Sequence, residues 1–254
     1  FTQENNDYVS KAAPTPVVDA DRVYFFFESG DLLATTHEGA LVWQRHLSED
    51  YGQIEGVHGL GASPAHTADS LVINVDQEGS SYLARFSKAD GATVWKVERE
   101  TERAWASPAV VTTESGDQEI VLSSAGTVGG YGLEDGRTIW SYDGVEGNNV
   151  PSISMVGATI AVIGSREREN NQAIRIARET DGVSTEQMWV ADRVTSSFGS
   201  PLVAHGRAYF VNRTGVVSCV DLATGEALFE ERLAQTNWAS PLAAGETLYF
   251  FGEK

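Results

Sequence analysis

Residues 135–140 read DGRTIW, and close variants recur along the chain: EGALVW at 38–43, DGATVW at 90–95 and TGEALF at 224–229. A longer variant, DGVSTEQMW, occupies 181–189. In the short forms glycine precedes the aromatic residue by four positions, and the long form carries three extra residues between them. A second signature falls between these, a small or polar residue before proline: PTP (14–16), ASP (62–64), ASP (106–108), GSP (199–201) and ASP (239–241), with a weaker NVPS around Pro151. The prolines at 16, 64, 108, 151, 201 and 241 are spaced by 48, 44, 43, 50 and 40 residues. All six tryptophans fall on this frame. Trp43, Trp95, Trp140 and Trp189 close a unit, with Phe229 in the fifth place, while Trp105 and Trp238 stand three residues before a proline, as Phe198 does before Pro201. A fixed register at this period is the mark of a repeat architecture.

Each unit carries the same parts. A short run follows the proline; an apolar run comes next, such as VYFFF (23–27), LVINV (71–75) or AYFVN (208–212); then a third run, and an Asp-Gly or Thr-Gly turn into the run that ends at tryptophan. Short strands with two-residue turn signals predict a four-stranded antiparallel meander. Glycine reaches positive φ without steric cost, and proline at a strand start gives up an N–H that the strand does not need. A single meander of 40–50 residues cannot cover both its faces, whereas stacking meanders around an axis covers them, as in a β-propeller. The regular register argues against two β-sandwiches. The expected fold is therefore all-β, a single β-propeller domain over 1–254 of four-stranded antiparallel blades. Five complete repeats lie near 14–46, 62–98, 106–142, 150–190 and 199–231, with a partial sixth at 239–254. Residues 1–13 supply at most one more strand. The expectation is a fragment of a seven- or eight-bladed parent, with a six-bladed ring closed by the N-terminal segment as the lesser possibility.

Composition bounds the partners. The formal charge is −18, from 18 Lys and Arg against 36 Asp and Glu, so phosphate backbones and anionic membrane surfaces are repelled. No apolar stretch is long enough to span a bilayer. Cys219 is the one cysteine, in the apolar run VVSCV, so no intrachain disulfide forms and a small buried hydrophobe is expected. The chain starts at Phe1, so the missing signal peptide says nothing about secretion.

The stretches GLEDGRTIW and DLATGEALF, with the Ser-Pro strand starts, resemble the pyrroloquinoline-quinone-type propeller repeat over essentially the whole chain. That family includes quinoprotein alcohol dehydrogenases and the non-enzymatic branch of the outer-membrane assembly factor BamB, which this chain resembles. The resemblance implies that Trp43, Trp95, Trp140 and Trp189 dock between adjacent blades, with Phe229 docking less specifically. It also implies that Trp105, Phe198 and Trp238 gather near one mouth of the central channel. There they either pack the inter-blade contact or form an aromatic rim for a partner. Asn148, Asn149 and His58 join that candidate rim. His58 lies on the longest inter-blade loop, 47–61, which is rich in glycine and acidic residues.

Enzymatic signals are weak. The quinoprotein dehydrogenases keep a vicinal cysteine disulfide beside the quinone, and a chain with one cysteine has none. Asn148 and Asn149 in EGNNVP fit either a Ca²⁺ ligand set or a polar turn. NVDQEGSSY (74–82) lacks the spacing of a calcium loop. The histidines at 37, 46, 58, 66 and 205 show no metal spacing. SREREN (165–170) is a charged insertion in the fourth blade, and NRT (212–214) fits a glycosylation sequon that is common by chance. No catalytic, cofactor or metal residue is assigned. The expected function is a non-catalytic, periplasmic or secreted protein-interaction scaffold. The alternative is a quinoprotein dehydrogenase-like enzyme, or a sugar- or small-ligand-binding propeller, with groups in missing blades.

Overall fold

The computed structural model describes residues 12–56 and 58–252. It is all-β and propeller-like, built from antiparallel four-stranded meanders in chain order. The first sheet comprises Val17–Val18, Val23–Phe26, Asp31–Thr35 and Leu41–His46. The second comprises Ala65–His66, Ser70–Val75, Ser81–Ser87 and Thr93–Arg99. The third comprises Ala109–Thr112, Gln118–Ser124, Gly126–Gly132 and Thr138–Val145. The fourth comprises Ser154–Val156, Ile160–Ile163, Gln172–Glu179 and Gly182–Val190. The fifth comprises Leu202–Ala204, Arg207–Val211, Val216–Asp221 and Ala227–Arg232. A sixth sheet has two strands, Leu242–Ala244 and Thr247–Tyr249. The expectation of an extra strand from residues 1–13 falls almost wholly outside the described residues.

The chain divides into two compact units, residues 1–108 with 133–136, and residues 109–132 with 137–254. In the first unit the first two sheets share one core, in which Phe26 and Leu32 meet Ile73, Tyr82 and Phe86. In the second unit one core joins the third and fourth sheets through Val121, Trp140, Ile163 and Ile174, and another joins the fourth and fifth through Val162, Trp189, Phe210 and Val220. The middle strands are therefore covered on both faces, which is why Ser70–Val75 is buried at every position and reads as a largely apolar run without alternation. The outermost strands are open; every residue of Ala227–Arg232 is exposed.

The structure corrects several expectations. The Asp-Gly turns are not two-residue hairpins. In the second sheet Ser87 N–H donates to Ala92 O across a wider turn, and a register shift follows between Arg85 and Phe86; the third and fifth sheets repeat this, and the first does so with a turn one residue shorter, Thr36 N–H to Ala40 O. Among the turns into a fourth strand, the two-residue one is in the fourth sheet, where Glu179 pairs with Gly182. The repeat register also moves there. Five sheets begin their first strand one residue after proline, whereas the fourth begins at Ser154, so Ser152-Ile153 takes the Ser-Pro place and Pro151 lies two residues early. The loop 47–61 opens with a short helix, Leu47–Tyr51, anchored by buried Leu47.

Candidate interaction site

In each antiparallel meander the approach to the first strand and the turn between the second and third strands lie at the same end. The Ser-Pro motifs organise that end by hydrogen bonds from one repeat to the next. Thr15 N–H donates to Ser63 Oγ (2.9 Å) and Ser63 N–H to Ser107 Oγ (2.8 Å). In the second unit Ser152 N–H donates to Ser200 Oγ and Ser200 N–H to Ser240 Oγ, both at 2.9 Å. The serine is therefore an inter-repeat acceptor, and this recurring bond explains why Ala-Ser-Pro is spelled again and again.

Three residues before the proline, consecutive repeats again touch. In the first unit Trp105 lies against Gly61, where a Cβ would meet the indole Cδ1 at 3.1 Å. Its Nε1–H donates to Gly59 O (2.9 Å). His58 packs edge-on at 6.2 Å between centroids, and the Arg103 guanidinium, paired with Glu78 at 2.7 Å, lies 5.9 Å from the indole centroid. Gln77 completes the clamp by accepting the Glu55 N–H at 2.7 Å. Trp105 thus fastens the loop before it. The Glu28 carboxylate presses on Gly59, and its Oε2 is buried without a hydrogen-bond partner.

In the second unit Phe198 and Trp238 stack at 4.2 Å with planes 2° apart. Trp238 remains 47% exposed, and the Arg213 guanidinium sits 5.5 Å from its centroid. Asn237 beside it is 2% exposed; its Nδ2 donates to Phe251 O (2.6 Å), while Oδ1 has no hydrogen-bond partner. The structure thus pairs His58 with Trp105 in one unit and Phe198 with Trp238 in the other.

Asn148 leaves the candidate rim. It is wholly buried, its Oδ1 accepts Gly126 N–H (2.9 Å), and its Nδ2 donates to Ser123 Oγ (3.0 Å) and Thr127 O (2.9 Å). It closes a turn and offers nothing to a partner or a metal. Asn149 is half-buried, with Oδ1 unpartnered. The sequon Asn212 is likewise a turn residue, its Oδ1 accepting the N–H groups of Thr214 and Val216, both at 3.0 Å.

The closing tryptophans dock forward. Trp43 Nε1–H donates to Lys88 O (2.9 Å), Trp95 to Leu133 O (2.8 Å) and Trp189 to Leu222 O (2.8 Å), each in the wide turn of the following repeat. Trp140 departs from this pattern. The fourth sheet's tight turn supplies no glycine to it, and its Nε1–H reaches Glu119 Oε2 of its own sheet at 3.3 Å. Arg178 of the fourth sheet grips that carboxylate through Nε and Nη2, at 3.0 and 2.5 Å. Phe229 is 42% exposed and lies against Tyr209 of its own sheet.

Two open cavities are lined largely by polar side chains. The first, about 530 Å³ in the first unit, holds groups that satisfy one another: Lys88 Nζ–Asp19 at 3.0 Å, Arg85–Glu134 at 3.0 Å, and Arg22 on the Lys88 and Ala89 carbonyls. The second, about 680 Å³ in the second unit, lies beside Thr113, Ala158 and Arg178. Among the described residues no three His, Cys, Asp or Glu side chains are placed to hold a metal ion. Cys219 is buried, and burial pushes its thiol up from its ordinary range, so it is neither half of a quinone-side disulfide nor a nucleophile. These residues do not fit a bound quinone. Among the described residues no helix is long and apolar enough to cross a membrane.

Residues 11–231 match the sequence profile of the family described as outer membrane protein assembly factor BamB. No curated protein matches the chain in sequence. The crystal structure of BamB from Moraxella catarrhalis is similar at TM-score 0.66 and 15% identity, over 93% of this chain and 69% of that one. Sqt1 from Saccharomyces cerevisiae gives TM-score 0.67 and 13% identity over 91% and 64%. Quinohemoprotein alcohol dehydrogenase from Comamonas testosteroni gives 0.51 and 9% over 89% and 60%. At these identities the likeness is one of fold, and the chain spans 60–69% of the length of these structures.

Proposed function

The chain belongs to the family of the outer membrane protein assembly factor BamB, and from that premise we propose that it is a non-catalytic propeller that holds a protein partner outside the cytoplasm, in the periplasm or after secretion. The observation that carries the proposal is the half-exposed Trp238, stacked on Phe198 and flanked by Arg213. Tryptophan and arginine dominate binding hot spots, and a side chain already held by stacking loses little freedom on association. Trp105 has a scaffolding part: it fastens the loop 52–61, so that His58 is displayed on a pinned segment. The wide Asp-Gly turns, the docked tryptophans and the serine bonds give the loops a stiff support.

A quinone-linked dehydrogenase is the competing class. Titration with pyrroloquinoline quinone, with and without Ca²⁺, followed by tryptophan fluorescence, separates the two. The scaffold reading expects no saturable Ca²⁺-dependent quenching. Saturable quenching that is lost in Trp105→Ala and Trp238→Ala overturns it.

A further inference from the structure

We infer that the Arg213–Trp238 corner of the second unit recognises a carboxylate side chain on the partner. The inference deepens the interaction reading above and rests on it. Arg213 is placed by a rigid turn. Asn212 Oδ1 holds the N–H groups of Thr214 and Val216, Gly215 N–H donates to Asn212 O (3.0 Å), and Asn237 N–H donates to Arg213 O (3.1 Å). At Gly215 a Cβ would lie 2.2 Å from Gln235 O, so the turn and the segment before Trp238 are in close backbone contact.

The Arg213 guanidinium lies 5.5 Å from the indole centroid, and its planar N–H donors form the fork that matches a carboxylate. Among the described residues no carboxylate pairs with Arg213. Arg232 bonds Thr214 O of the same turn (3.3 Å), so two guanidinium groups flank it in a chain of net charge −18. Phe198 fixes the indole plane beside which the guanidinium sits. The corner therefore offers a fixed, unpaired guanidinium beside a half-exposed indole, which a carboxylate side chain completes.

The test is a titration of ¹⁵N-labelled protein with the peptide Ac-Gly-Glu-Phe-Gly-NH₂ and with its Gln and Lys counterparts, read on the indole N–H resonances. The Trp238 resonance is identified by its loss in Trp238→Phe. Saturable movement of that resonance with the Glu peptide is expected. The Gln and Lys peptides should bind about tenfold or more weakly, the loss of one charge-assisted contact. Arg213→Gln should bring the Glu peptide down to the level of the Gln peptide, with the other indole resonances unmoved as evidence of an intact fold. Equal binding of all three peptides at Trp238, or an Arg213→Gln variant that binds as the wild type does, overturns the carboxylate assignment while leaving the interaction reading standing. No movement of Trp238 with any peptide also overturns it.

Discussion

Gly136 of the third repeat lies against the indole of Trp95 of the second, so closely that a Cβ on the glycine would stand 2.7 Å from the ring. Gly91 meets Trp43 at 2.7 Å and Gly225 meets Trp189 at 2.6 Å in the same way. In these three motifs the glycine thus serves the tryptophan of the repeat before it. Gly39 is a natural control, with φ of +87° but nothing within 4 Å. Gly39→Ala should cost about 1 kcal/mol, for the left-handed backbone alone. Gly91→Ala, Gly136→Ala and Gly225→Ala should each cost about 2–4 kcal/mol, since overpacking adds to the backbone strain. Thermal midpoints of the four variants check this; equal shifts would contradict the docking.

Trp140 depends on Glu119, which is held in turn by Arg178. Glu119→Ala should cost about 3–5 kcal/mol, because it strands a guanidinium between packed sheets. Glu119→Gln should cost less, since the amide oxygen still accepts. Adding Arg178→Ala to Glu119→Ala should cost less than the sum of the two single changes, which a double-mutant cycle on unfolding midpoints measures.

The two Trp-Ala-Ser-Pro tryptophans should separate by substitution. Trp105→Ala removes the bond to Gly59 O and frees the loop, so amide exchange in residues 52–61 should quicken in step with the loss of about 1 kcal/mol or more. Trp238→Ala should leave exchange there unchanged and abolish partner binding. Hydrogen exchange by mass spectrometry distinguishes the two effects.

Acid should loosen the first unit at one identifiable point. Burial pushes the Asp19 carboxyl up, but its bond from Lys88 and those from the Asp21 and Arg22 amides outweigh it and hold it at about 2, below its ordinary 3.8. A carboxylate depressed on folding stabilises above the unfolded value, and that stabilisation is lost as pH falls through the folded one. The window runs from about pH 4 down to pH 2. Asp19→Asn should flatten the fall of stability across it, as read by thermal midpoints at successive pH values; an unchanged slope would assign the acid limb to other groups.

The period of the repeat was legible because each meander places its glycine and its tryptophan at fixed distance along one hairpin. The partners of Trp43, Trp95 and Trp189 were not, since each contact runs to a glycine 36–48 residues away in the next repeat, and a single motif does not show which repeat its glycine serves. The three extra residues of DGVSTEQMW were visible, but their consequence, a tight turn that leaves Trp140 to Glu119, needed the register. Pro151 misled because a proline near the strand start looks like the motif, while Ile153 fills the motif's place. Asn148 looked like a polar ligand because its sequence neighbours are polar; its three hydrogen bonds come from the hairpin behind it. The Phe198–Trp238 stack was hinted at by their shared offset before proline, whereas Arg213 had no signal in sequence, since a lone arginine in a turn resembles any solvated charge.

A partner held at Trp238 is detected most directly by placing a photo-crosslinking amino acid at position 238, and at exposed Val94 on an outer strand as control, in the protein in living cells. The account predicts one discrete cross-linked adduct from position 238, absent from position 94 and lost when Arg213→Gln is added. No adduct at 238, or the same adducts at both positions, would contradict it.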